Sequence, residues 1–79
     1  MNFTVEFERE EDGRWLAEVL ELPGVLAYGQ TSDDANVRVQ TLTLRTLADR
    51  LEHAEGTHEL ISISFAAAYA NGRPRPVEF

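Results

Sequence analysis

Glu6, Glu8 and Glu18 are the first side chains in this sequence that could do chemistry. Carboxylates converging from neighbouring strands can hold two divalent metals for phosphodiester hydrolysis. Here, though, the glutamates alternate with apolar residues, the pattern of the solvated face of a half-buried strand. They are read as such a face. Asp33 and Asp34 stand at the start of a helix, where the helix dipole favours negative charge, and that role precedes metal ligation. His53 and His58 flank the other end of the same helix. His53, when charged, complements the dipole there, and neither histidine has zinc-ligand spacing around it. Ser32, Ser62 and Ser64 belong to no nucleophile motif with a histidine. Gly13, Gly24 and Gly29 each serve a turn and form no phosphate-binding loop. The expectation is a protein that is not an enzyme, with no catalytic, cofactor-binding or metal site.

Composition narrows the partners. The chain has 79 residues, enough for one domain and a core that is marginal on its own. Oligomerisation or a bound partner helps a domain of this size. Seven basic and 14 acidic residues give a net charge of -7. Such a chain repels a phosphate backbone unless its arginines cluster. Arg9, Arg14, Arg38, Arg45 and Arg50 are dispersed, and only Arg73 and Arg75 stand close together. Direct nucleic-acid binding is therefore not expected, and a basic protein partner suits the charge better. With no cysteine there are no disulfides or thiolate metal sites, which fits a cytoplasmic protein. No apolar run approaches the ~20 residues of a membrane span, and no signal peptide is visible.

The elements that position these residues follow from pattern. Phe3, Val5 and Phe7 alternate with Thr4, Glu6 and Glu8, predicting a half-buried strand over residues 3–8. Glu10 to Arg14 is a charged turn with Gly13 free to take a positive φ. Trp15 to Leu20 is a second strand, with Trp15, Ala17 and Val19 on one face and Leu16, Glu18 and Leu20 on the other. The two form a hairpin. Leu22-Pro23-Gly24 breaks the ladder and permits a sharp change of direction. Val25 to Tyr28 is a short third strand, antiparallel to the second. Thr31 is a helix N-cap whose hydroxyl accepts from the backbone N–H of Asp33 or Asp34. The helix runs to about Ala54, with Gly56 as its stop. A fourth strand is predicted over Glu59–Phe65, with Ile61, Ile63 and Phe65 on one face. Residues 66–70 could continue that strand or form a turn of helix. Asn71-Gly72 is a turn, and residues 71–79 read as an extended tail. The fold class is α+β: a β-β-β-α-β order with a small, mostly antiparallel sheet and one long helix packed on one face.

The helix carries two apolar stripes. Ala35, Val39 and Leu42 fall together and are expected to face the sheet. Val37, Leu44, Leu47, Ala48 and Leu51 form a second group, roughly opposite. Either the helix bends, or one stripe meets another chain. Val37, Leu44, Leu47 and Leu51 are thus candidate interface residues, joined by the aromatics Trp15 and Tyr28.

The central stretch resembles the HicB-like antitoxin family. The residues that carry the resemblance are Asp12-Gly13, Trp15, Ala17, Glu21-Leu22-Pro23-Gly24, Gly29-x-Thr31 and Asp33-Asp34-Ala35, matched without gaps. The resemblance implies a partial RNase H-like fold, without that fold's acidic catalytic cluster, over a single domain spanning residues 1–79. It also implies the antitoxin role of a toxin–antitoxin pair, in which the protein covers the active site of a small basic HicA-like ribonuclease. Two features differ from the family pattern. The sequence has no room for the DNA-binding domain that usually follows, and Asn36 and Thr43 stand where family helices often carry apolar residues. The expected partners are further copies of the chain, as a dimer or tetramer, and a HicA-like toxin. An orphan self-associating module is the alternative, and a metal-dependent nuclease is a distant third.

Overall fold

The computed structural model describes residues 1–53 and 60–69, and the side chain of Tyr69 is not described. The elements are β1 (Asn2–Arg9), β2 (Trp15–Val19), β3 (Leu26–Gly29), α1 (Ser32–His53) and β4 (Ser64–Tyr69). The strands form one sheet in the order β3-β2-β1-β4. β2 pairs antiparallel with β1 and with β3, whereas β4 runs parallel to β1. The predicted α+β class and element order are both present.

Local chemistry explains each change of direction. Between β1 and β2, the Gly13 N–H donates to the Glu10 carbonyl at 3.0 Å, and Gly13 takes a φ of 90°. Pro23 and Gly24 occupy the centre of a type II turn: the Val25 N–H donates to the Leu22 carbonyl at 3.0 Å, and Gly24 has a φ of 87°. Thr31 caps α1, its hydroxyl accepting from the Asp34 N–H at 3.0 Å. Gly29 is buried under the first turn of α1, where a Cβ would press on the backbone of Asp34 and Ala35.

Phe3, Val5, Phe7, Ala17, Val19, Leu22, Val25, Ala35 and Val39 form the core. The odd-numbered residues of β1 and β2 therefore face α1, as their alternation predicts. Val5, Val19 and Val39 are fully buried, and each such side chain contributes ~1.5–3 kcal/mol. α1 lies chiefly over β3 and β2. β4 stands beside β1, with the Phe65 ring 5.8 Å from the Phe3 ring. Among the described residues, no helix is long and apolar enough to cross a membrane.

Two expectations are corrected. The fourth strand, expected over Glu59–Phe65 with residues 66–70 as a possible continuation, is Ser64–Tyr69 among the described residues, so it starts later and does continue past Phe65. Its register is set by β1, with Asn2 opposite Ser64 and Phe7 opposite Tyr69. Leu60 and Ile61 lie outside the strand and are exposed, while Ile63 and Phe65 pack on the core. Three alanines, weak strand formers by themselves, are drafted into the sheet by pairing. The helix face is as expected at Ala35 and Val39, both completely buried, but not at Leu42. Leu42 is 38% exposed, and Thr43 is completely buried in its place. The expected helix stop at Gly56, His58 and the tail from residue 71 lie outside the described residues.

Candidate functional site

The buried face of α1 is formed by Ser32, Ala35, Val39 and Thr43, with Val39 near its centre and Thr43 toward one edge. At about 100° per residue, Leu42 is turned to one side of that centre and Leu44 to the other. Ala35 and Val39 of the first stripe thus lie in the core and Leu42 at one edge of the buried face, while the second stripe flanks its other edge, beyond Thr43. The Thr43 hydroxyl donates to the Val39 carbonyl at 2.7 Å, which satisfies it inside the core. Val37, Leu44 and Leu51 line one exposed flank, at 58%, 47% and 50% exposure. Leu47 is half-buried at the edge of that flank and packs on the core.

Trp15 and Tyr28 fall on opposite faces of the sheet. Trp15 is half-buried on the α1 side against the core. Tyr28 is exposed on the other face, with the Arg14 guanidinium 4.5 Å above its ring. Arg14 is oriented through its Nε, which donates to the Asp12 carboxylate at 2.7 Å. Beyond Tyr28, Gln30, Asp34 and Arg38 complete a shallow depression of about 180 Å3.

The face of the sheet away from α1 carries the glutamates. Register places Glu6 directly opposite Glu18, and Glu8 opposite Leu16. Leu16 stands in turn beside Tyr28, and Glu18 beside Leu26. One row of this face reads Ala68, Glu6, Glu18, Leu26 across the four strands. Glu6 and Glu18 are half-buried and Glu8 is exposed. The ion pairs among the described residues join Arg14 to Asp12, Arg38 to Asp34 and His53 to Asp49, so no described cation neutralises these glutamates. Like charges directly across an antiparallel pair are destabilising. No described element covers this face.

No family model, characterised protein or solved structure matches this chain.

Other acidic groups have structural duties. Glu21, from the Leu-Pro-Gly corner, clasps β1: its carboxylate accepts from the Thr4 N–H at 2.7 Å and from the Thr4 hydroxyl at 2.8 Å. These bonds hold its pKa below the usual carboxylate value. Asp34 accepts from Arg38 Nε at 3.0 Å and from the Gln30 N–H at 3.1 Å, which lowers its pKa likewise. Around His53 the sequence reading found no ligand spacing. The structure brings ligand atoms of Asp49, Glu52 and His53 within 4.8 Å of one another on the exposed end of α1. The i, i+3, i+4 spacing on a helix surface is the signal that reading passed over. His53 Nδ1 lies 2.8 Å from the Asp49 carbonyl oxygen, a local contact within the last turn.

Proposed function

We propose that this chain is a HicB-like antitoxin-type protein of the cytoplasm. It binds a small, basic, HicA-like ribonuclease and blocks it by protein–protein contact, without chemistry of its own. The observation that carries this reading is the open glutamate face of the sheet. Glu6 and Glu18 oppose each other there with no described counter-charge, beside the half-buried Leu16 and the exposed Leu26 and Tyr28. A partner presenting lysines or arginines relieves the opposition, steers its own approach through the net charge of -7, and finds apolar contact and an aromatic anchor alongside. The resemblance of the Asp12–Ala35 stretch supports the same reading. Its residues form the hairpin turn, the corner and the helix cap that hold this face in shape.

The test is inhibition of RNA cleavage by a small basic ribonuclease encoded beside the gene. The native chain should block cleavage stoichiometrically, and Glu6→Lys with Glu18→Lys should abolish the block while leaving the circular-dichroism spectrum unchanged. Unimpeded cleavage in the presence of the native chain refutes the reading, as does full inhibition by the double variant. RNA incubated with the chain and magnesium alone should stay intact. Cleavage lost in Glu6→Gln would instead favour a metal-dependent hydrolase.

A further inference from the structure

We propose that the outer edge of β4 is a strand-addition site, which takes an extended segment of another protein whose side chains alternate between basic and apolar. The Ser64 N–H donates to the Met1 carbonyl at 2.9 Å. Backbone groups alternate in direction along a strand, so Ser64, Ala66 and Ala68 bond to β1, while Phe65, Ala67 and Tyr69 turn their N–H and C=O groups outward. No described strand pairs with these outward groups, because β4 ends the sheet. Sheet edges are ordinarily blunted by charge, proline or shortness. β3, at the other edge, has four residues and lies beneath α1. β4 has six, and none is charged or a proline.

The two faces beside this edge define the occupant. On the α1 side, α1 lies over β3 and β2 and leaves a groove of about 180 Å3 along β1 and β4. Val5, Phe7, Phe65 and Ala67 form its floor, and Asn36 and Gln40 its wall. The two amides are bonded to each other, Gln40 Nε2 donating to Asn36 Oδ1 at 2.7 Å. An apolar cavity of about 150 Å3 holds a benzene ring, so this groove takes one large apolar side chain. Ala67 is exposed, and its methyl leaves the way in open. On the open face, the row Ala68, Glu6, Glu18 begins at β4. A lysine or arginine set beside Ala68 stands two strand spacings, ~10 Å, from Glu6, and its stem lies over the Ala68 methyl. An acidic residue there would add to the opposition of Glu6 and Glu18. The edge therefore selects apolar and basic residues in alternation: main-chain bonds supply affinity, and the two faces supply specificity.

The test uses the native chain and a peptide of about seven residues, an ordinary strand length, that alternates lysine with leucine. In the free chain the Phe65 and Ala67 amides should exchange freely with deuterium. The peptide should protect them, while Ser64, Ala66 and Ala68 stay as protected as before. Binding should weaken about tenfold or more when glutamates replace the peptide's lysines, and again when its edge-facing amides are N-methylated. Ala67→Pro should weaken it as much with the fold retained, since proline is tolerated where the N–H points off a sheet edge. No binding up to ~1 mM peptide overturns the proposal. Phe65 and Ala67 amides already protected in the free chain overturn it too, because the edge is then occupied by the chain itself or by a second copy. Equal affinity for the N-methylated peptide also overturns it, and that comparison needs no variant to fold. The proposal does not rest on the ribonuclease reading, and no ribonuclease enters the assay, so either can fail alone.

Discussion

Gly29→Ala should be among the most damaging single-methyl changes available in this fold. A Cβ built at Gly29 lies 2.9 Å from the Cα of Ala35 and 2.9 Å from the carbonyl carbon of Asp34, and closer still to the Ala35 nitrogen. Ordinary carbon contacts are about 3.5–4.0 Å, so the start of α1 must lift by roughly 0.5–1 Å. The atoms in the way are backbone, and they cannot rotate aside. The same turn is held by the Thr31 cap and by Asp34, whose carboxylate reaches back to the Gln30 N–H. Lifting it also loosens Ala35 and Val39, both completely buried. Overpacking costs about 1–3 kcal/mol, and the rigid neighbours place this site at about 3. For a domain this small the melting temperature should fall by roughly 12–24 °C. Gly24→Ala is the control. Gly24 has a φ of 87° but nothing within 4 Å of its Cβ position, so only left-handed backbone strain of about 1–2 kcal/mol applies. Thermal melts followed by circular dichroism should rank Gly29→Ala below Gly24→Ala, and both below the native chain. A Gly29→Ala melt within about 4 °C of native, or above that of Gly24→Ala, refutes the close-approach argument.

Three further outcomes follow from the same contacts. Thr31→Ala removes the cap on the Asp34 N–H and should cost about 1 kcal/mol in urea unfolding, with no change in the folded spectrum. Thr43→Val exchanges a fully buried hydroxyl, bonded only within its own helix, for a methyl of similar volume; its Tm should match or exceed native, whereas Thr43→Ala should lower it through the void it leaves. The carboxylates of Glu21 and Asp34 have pKa values lowered by folding, so their contribution is complete above the ordinary carboxylate range and is lost as pH falls through ~4 and below. Stability measured by urea should therefore drop between pH ~5 and ~3, and Glu21→Gln should flatten that drop; a variant curve parallel to native would contradict the clasp on Thr4.

What the sequence made legible was whatever has a short-range cause. Alternation at Phe3, Val5 and Phe7 assigned β1 and its inward face. Pro23-Gly24 announced the corner, and Thr31 announced the helix start to the residue. The face of α1 was legible at Ala35 and Val39 but not at Thr43, where a polar side chain is buried. Hydrophobicity pointed there to Leu42, which is 38% exposed, in place of its neighbour Thr43. Whether a buried threonine is tolerable depends on its bond to the Val39 carbonyl, which composition does not reveal. The position of β4 was not legible either. Leu60, Ile61 and Ile63 carry more strand propensity than the alanines after them, but parallel register with β1 decides the matter. Glu6, Glu8 and Glu18 were correctly placed together on one face. Their value as a surface appeared only when pairing set Glu6 opposite Glu18 and opened Tyr28 on the same side. Trp15, equally conspicuous in the sequence, turned inward by parity.

The most direct test of the proposed function is a binding titration of the chain against a small basic ribonuclease encoded beside it. The native protein should be compared with Glu18→Lys at low and at physiological salt. The account predicts saturable binding by the native chain that weakens as salt rises, and at least a tenfold (~1.4 kcal/mol) loss in Glu18→Lys. That variant should also melt slightly higher than native, because it converts the opposition of Glu6 and Glu18 into an attraction. No binding by the native chain, or equal affinity in Glu18→Lys, would contradict the assignment of the glutamate face as the partner surface.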